Sequence, residues 1–267
     1  MLLLYGLTLL LGLVLGSFVN VLIWRLPRKM SLGGRSICPE CRAKIFWYDN
    51  IPLISYFLLG RKCRSCMKKI SWRYPAVEAG VALAFLILVA ASTKCFTSTF
   101  IDSSPICEWF GSLWVFSYPY YLVITVFFVT VFVIDLKDRI ILDQVSFLGF
   151  AIVVAFLLLF RPDFYEVILS GFASASFLLL INLFTKGRGM GLGDVKFALF
   201  AGTLLGWPEA LVWMFLSFLT GAIVGLILVI RGKVGLKSQI AFGPFLVACV
   251  YIVFIIGHYL AKLLYKF

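Results

Sequence analysis

Among 267 residues there is one histidine, His258. That scarcity excludes His-based triads, HExxH zinc proteases and His-rich metal sites together. Charge is scarce too, at 13% of residues, and only 12 side chains are acidic against 24 basic. A soluble domain is about a quarter charged, so a conventional water-soluble enzyme is excluded, as is a disordered tail. There is no 20–50-residue repeat and no low-complexity tract. The first apolar run lacks the basic flank and A-x-A site of a cleavable signal peptide. Hydrolytic chemistry in this chain falls to carboxylates, thiols or hydroxyls.

What the chain has in quantity is apolar residues, 63% by count, with a mean hydropathy of +1.06. A bilayer core needs about 20 mostly apolar residues per helical span. Apolar runs occur at 1–24, 79–93, 109–134, 144–160, 167–185, 197–208, 210–230 and 238–261. The expected fold is therefore all-α and polytopic, with about eight transmembrane helices. The run at 197–208 is short, so its helix should begin near Met190 and carry Asp194 and Lys196; 79–93 should likewise recruit Glu78. With the amino terminus outside, 20 of the 24 cations fall on inner segments, as the positive-inside rule requires. The basic balance is then topological and faces anionic lipid headgroups, with no nucleic-acid partner implied.

One polar stretch is long. Residues 25–75 separate the first span, 1–24, from a seven-helix region, 76–267, and hold half of the cations. This insert contains Cys38-Pro-Glu-Cys41 and, 21 residues on, Cys63-Arg-Ser-Cys66. Two such knuckles can close a tetrahedral S₄ site for zinc. About 50 residues cannot build much core, so a structural metal answers a stability need. A disulfide framework or a redox pair fits a reducing compartment and duplicated knuckles less well. Cys95 and Cys107 share an outer loop, where a disulfide is an open alternative; Cys249 reads as a small buried hydrophobe.

Ionisable residues at a span boundary are functional candidates. Asp135 ends the run at 109–134, and Asp194 sits in Gly189-Met190-Gly191-Leu192-Gly193-Asp194-Val195-Lys196. Both fall on the inner side. Two carboxylates sharing one proton can act as base toward a water and as acid toward a scissile carbonyl. Gly189, Gly191 and Gly193 would let backbones approach closely and leave room for an extended substrate. Lys196 could be a charge partner or a snorkelling anchor. Interface acids or helix caps remain the plainer reading of both aspartates. Asp138 and Asp143 compete for the partner role, but their basic neighbours suit ion pairing or capping. A transporter or membrane scaffold with a zinc-knuckle interaction domain is the alternative from another class, favoured by the glycine-interrupted span.

Taken together, these segments resemble the bifunctional type IV prepilin peptidase family. The resemblance runs in order through Gly16-Ser17-Phe18-Val19-Asn20-Val21, Arg25-Leu26-Pro27, both knuckles, and Asn50-Ile51-Pro52-Leu53-Ile54-Ser55-Tyr56. It continues through Ser71-Trp72-Arg73-Tyr74-Pro75-Ala76-Val77-Glu78, the Asp135 segment, Gly191-Leu192-Gly193-Asp194-Val195-Lys196 and Ala241-Phe242-Gly243-Pro244-Phe245. It departs at Ile141-Leu142-Asp143, where the family commonly has Leu-Pro-Asp. The resemblance implies a bacterial inner-membrane aspartic protease with Asp135 and Asp194 as its pair. Its substrates would be type IV prepilins or type II secretion pseudopilins, cut after a glycine at the cytoplasmic face to release a short basic leader. Members with the cysteine insert also methylate the new amino terminus with S-adenosylmethionine. The chain shows no Gly-x-Gly-x-x-Gly fingerprint, so no donor site follows from motif logic. A basic leader meets a basic inner face here, so local acids must attract it: Glu40, Asp49, Glu78, Asp138 or Asp143.

Overall fold

The computed structural model describes residues 2–97, 114–161, 164–187, 189–232, 235 and 241–264. Among them the chain is helical, with no strand beyond two isolated bridges. The helices are α1 (Leu2–Arg25), α2 (Ile54–Leu58), α3 (Arg73–Thr97), α4 (Trp114–Asp138), α5 (Asp143–Phe160), α6 (Phe164–Phe184), α7 (Leu192–Leu205), α8 (Glu209–Ile230) and α9 (Gly243–Leu264). The expected Cys95–Cys107 pairing lies outside the described residues, as does the side chain of His258.

Six of these helices, α1, α3, α4, α5, α6 and α8, are long and apolar enough to cross a membrane. The expected count of eight is not confirmed among the described residues. At 14 residues α7 spans about 21 Å, short of a bilayer core of about 30 Å. The helix α9 runs over 22 residues, Gly243–Leu264, of which Gly243–Phe254 is the described apolar stretch. As expected, α7 carries Asp194 and Lys196, and α3 recruits Glu78.

The chain divides into two compact units, residues 1–97 with 121–130, and residues 98–120 with 131–267. In the first, α1 packs on α3. Leucines surround α1, and its buried stripe mixes small or polar Thr8, Gly12, Gly16 and Asn20 with β-branched Val19 and Ile23. A Cβ at Gly12 would stand 2.6 Å from the Cα of Ala82, and one at Gly16 would stand 2.7 Å from the Cα of Glu78. The Gly-x-x-x-Gly spacing thus puts the two backbones in direct contact, the usual solution where lipid offers no hydrophobic drive for helix pairing.

The insert is tied to the helices by polar groups. The buried guanidinium of Arg25, the last residue of α1, donates to the carbonyls of Ser31, Leu32, Gly33 and Arg35. Asn20 donates from Nδ2 to the Tyr74 carbonyl at 3.0 Å. Leu53 has a left-handed φ of 60°, and its N–H donates to Oε2 of Glu78 at 2.8 Å. Glu78 therefore latches the middle of the insert onto α3.

In the second unit α7 is the central strut. A Cβ on Gly171 of α6 would lie 2.8 Å from the Leu199 carbonyl, and one on Gly202 would lie 2.8 Å from Ser174 Oγ. Phe200 fills the space that Gly149 leaves on α5. Trp213 of α8 is fully buried and donates from Nε1 to the Leu246 carbonyl of α9 at 2.8 Å. Buried Asn182, near the end of α6, donates to the Met190 carbonyl and fixes the approach to α7.

Candidate active site and metal centre

The four insert cysteines converge. Their Sγ atoms all lie within 4.8 Å of one another. Zinc–sulfur bonds of about 2.3 Å in a tetrahedron set sulfurs roughly 3.8 Å apart, so the cluster fits that ion. The two knuckles repeat one local design. Cys38 N–H donates to Ala43 O and Arg42 N–H to Cys38 O; Cys63 N–H donates to Lys68 O and Met67 N–H to Cys63 O. Arg42 and Met67 each take a left-handed φ, near 58° and 56°, to turn the chain back. Backbone N–H groups of Cys66 and Ser65 aimed at its sulfur pull the Cys63 thiol down to about 7. Against the lowering effect of the Lys68 amide, burial and the neighbouring thiols push Cys66 up to about 11. Arg64, between Cys63 and Cys66, is held in a two-bond pair with Asp49 at 2.7 and 2.8 Å. That guanidinium holds the Asp49 carboxyl below its ordinary range.

Asp135 lies one turn before the end of α4, at 5% exposure. The helix closes with Arg139 in the left-handed region, its N–H on the Asp135 carbonyl at 3.0 Å. The carboxyl sits against Gly243 at the start of α9, where an added Cβ would come 2.6 Å from Oδ2. That oxygen is buried with no hydrogen-bond partner among the described residues. Asp194 is in the first turn of α7, and its Oδ2 accepts the Gly191 N–H at 3.1 Å. The capping reading of Asp194 thus holds for one carboxylate oxygen. The two carboxylates are within electrostatic reach of each other.

At Gly193 the expected close approach of backbones is present, with the Ile141 carbonyl oxygen 3.5 Å from an added Cβ. The space above Gly193 is filled by Ile141, whose Cβ would be 2.9 Å from an added Cβ, so no substrate room opens there. Ile141 Cδ1 also reaches toward Gly243, at 3.2 Å from its added Cβ. The loop between α4 and α5 is thereby wedged between the helix starts that carry Asp194 and Gly243. Gly191 supplies its amide to Asp194.

Lys196 pairs with Asp143, not with Asp194: Nζ to Oδ1 is 2.6 Å, and the ammonium lies 6.0 Å from the Phe147 ring centroid. This pair latches the start of α5 to α7 across the wedged Ile141. Both side chains are partly exposed, so the expected effect is moderate. Asp143→Asn and Lys196→Met should each slow turnover by about 2–10-fold, with the double variant no slower than either single one. Fully additive losses in a double-mutant cycle would show that the pair does not act as a unit.

All five acids expected to attract a basic partner are already engaged. Glu40 pairs with Lys68, Asp49 with Arg64, Asp138 with Lys137 and Asp143 with Lys196. Glu78 accepts from Leu53 and lies in hydrogen-bond reach of Ser17. Asp135 and Asp194 form no ion pair among the described residues, although the charge of Arg139 is felt at Asp135. The sequence names Gly243 and Ile141 only as motif positions, without their contacts at the site, and Gly12 not at all. The Phe-Gly-Pro-Phe segment marked the first, and nothing local marks its contact with a residue more than 100 positions away.

Residues 10–92 match the family model described as bacterial peptidase A24 N-terminal domain, and residues 122–226 the type IV leader peptidase family. A prepilin leader peptidase/N-methyltransferase of Vibrio cholerae is 35% identical over 223 residues, covering 77% of this chain and 78% of the relative. The protein of that name from Pseudomonas aeruginosa is 29% identical over 289 residues, covering 97% and 93%. One from Bacillus subtilis is 29% identical over 241 residues, covering 89% and 88%. No solved structure matches.

Proposed function

Since the chain belongs to the type IV leader peptidase family, we propose that it is a membrane aspartic endopeptidase that also N-methylates its product. Its substrates are type IV prepilins or type II secretion pseudopilins, each with a basic leader ahead of an apolar helix. The observation that carries the cleavage half is the pair Asp135 and Asp194: one carboxylate against Gly243 and the other next to Gly193, with Ile141 wedged between those two helix starts and no ion pair to either acid among the described residues. Charges placed this way in a membrane bundle are costly and retained for function.

The pair acts on a water and on the scissile carbonyl. One carboxylate takes a proton from water as its oxygen adds to the carbonyl carbon, and the protonated partner donates to the carbonyl oxygen. Collapse breaks the C–N bond, and the leaving amine takes up a proton. Gly191 N–H holds one oxygen of Asp194, which leaves Oδ1 for the reaction. The wedge of Ile141 keeps the two helix starts in register.

Cys38, Cys41, Cys63 and Cys66 would hold one structural zinc that stabilises the insert. The methyl half is supported by the double name of the relatives. S-adenosylmethionine, when bound, supplies a methyl group on a sulfonium, which the free amine of the new terminus accepts with loss of a proton. The chain sits in the bacterial inner membrane, its insert and aspartates on the cytoplasmic side, as the distribution of its cations supports. The surplus cations face anionic lipid.

The test uses the full chain reconstituted in lipid, a prepilin substrate and S-adenosylmethionine, with mass spectrometry of the product. The expected product lacks its leader and carries one added methyl at its amino terminus. An uncut substrate overturns the reading; a cut product with an unmodified amine overturns its methylation half.

A further inference from the structure

Where α1 crosses α3, two buried polar atoms of opposite character have no partner. Asn20, at 6% exposure, uses Nδ2 on the Tyr74 carbonyl, which leaves Oδ1 buried and unsatisfied. Arg73 opens α3, and its guanidinium carbon lies 5.5 Å from the Tyr74 ring centroid. Its Nε is buried and unsatisfied, and no carboxylate pairs with it among the described residues. Native structures seldom leave such atoms unpaired. One is an acceptor and the other a cationic donor, and they flank the same backbone unit, Arg73–Tyr74.

The crossing adds a third group. Gly16 meets Glu78, and one turn along each helix Asn20 meets Tyr74, so Glu78 lies one turn along α3 from the residue that Asn20 holds. Its carboxyl is buried beside Ser17. A ligand that satisfies this set needs a carboxylate for the Arg73 Nε–H and an ammonium for Asn20 Oδ1 near the Glu78 charge. An α-amino acid carries both on one carbon. The sulfonium methyl donor of the proposed methylation ends in that group.

We propose that Asn20, Arg73 and Glu78 form the seat for the amino-acid end of S-adenosylmethionine. This rests on the methylation reading given above. Glu78 joins the seat to the insert through Leu53, so the cysteine cluster and the donor site share one framework.

The test compares two probes on the full chain in lipid nanodiscs by calorimetry. S-adenosylhomocysteine has the amino-acid end, and 5′-methylthioadenosine lacks it. The wild type should bind the first at least about tenfold more tightly. In Arg73→Gln that preference should collapse toward equal affinity, while 5′-methylthioadenosine binding is retained. A preference kept in Arg73→Gln overturns the site. A second measurement needs no variant: S-adenosylhomocysteine should slow hydrogen exchange in the wild type at the end of α1 and the start of α3. Protection confined to other segments also overturns the site. If the wild type binds neither probe and leaves cut product unmethylated, the methylation reading itself has failed, and the seat with it.

Discussion

Asp135→Asn and Asp194→Asn are each expected to lower leader cleavage by about two to four orders of magnitude, the usual contribution of a positioned acid or base. Asparagine keeps the shape of the side chain, so packing against Gly243 and the Gly191 contact should survive. Binding of the substrate should change far less than turnover. The control is Asp138→Asn, which removes an exposed carboxylate paired with its neighbour Lys137 and should stay close to wild type. The readout is single-turnover cleavage of a reconstituted prepilin. If either site-aspartate variant cuts at near the wild-type rate, the two-carboxylate mechanism is wrong. Because the groups act together, the double variant should be little worse than the single ones.

The second large effect concerns the metal. Cys38→Ser and Cys63→Ser each take one thiolate from a four-sulfur cluster and leave no substitute within reach. Structural zinc contributes about 10–16 kcal/mol in small metal-bound domains, far more than this insert can recover from its own core. Zinc measured by plasma mass spectrometry should fall from about one per chain to near none. Limited proteolysis should then open cut sites within residues 25–75 while the helices resist. Full zinc occupancy in either variant would remove the cluster from its proposed role.

Local signals in the sequence carried a large part of the fold. Apolar runs marked the helices because a span has only its own side chains to meet the bilayer. Paired knuckles marked the metal cluster because each C-x-x-C folds with a handful of neighbouring hydrogen bonds. Even the short helix at Asp194 was readable from its charges. Register between distant segments was not readable. Lys196 lies 53 residues from its partner Asp143, and the spacing of neither residue selects the other. Ile141 looks like one more apolar loop residue until it is found wedged beside Gly193 and Gly243. Glu78 looks like a free boundary acid, and its tie to Leu53 depends on how the insert folds back. The Gly12–Gly16 spacing was visible in the sequence, but only the crossing gives it meaning.

The Glu78–Leu53 latch also sets an order of events during synthesis. A chain leaves the ribosome amino terminus first, and its parts fold as they emerge. The Arg25 clamp on the carbonyls of residues 31–35 can close early, and the cysteine knuckles can close once Cys66 is out. Leu53 waits for an acceptor 25 residues downstream, at the head of the next span. The insert is thus finished by the helix that follows it, and the proposed zinc would keep the unfinished loop in shape while that helix enters the bilayer.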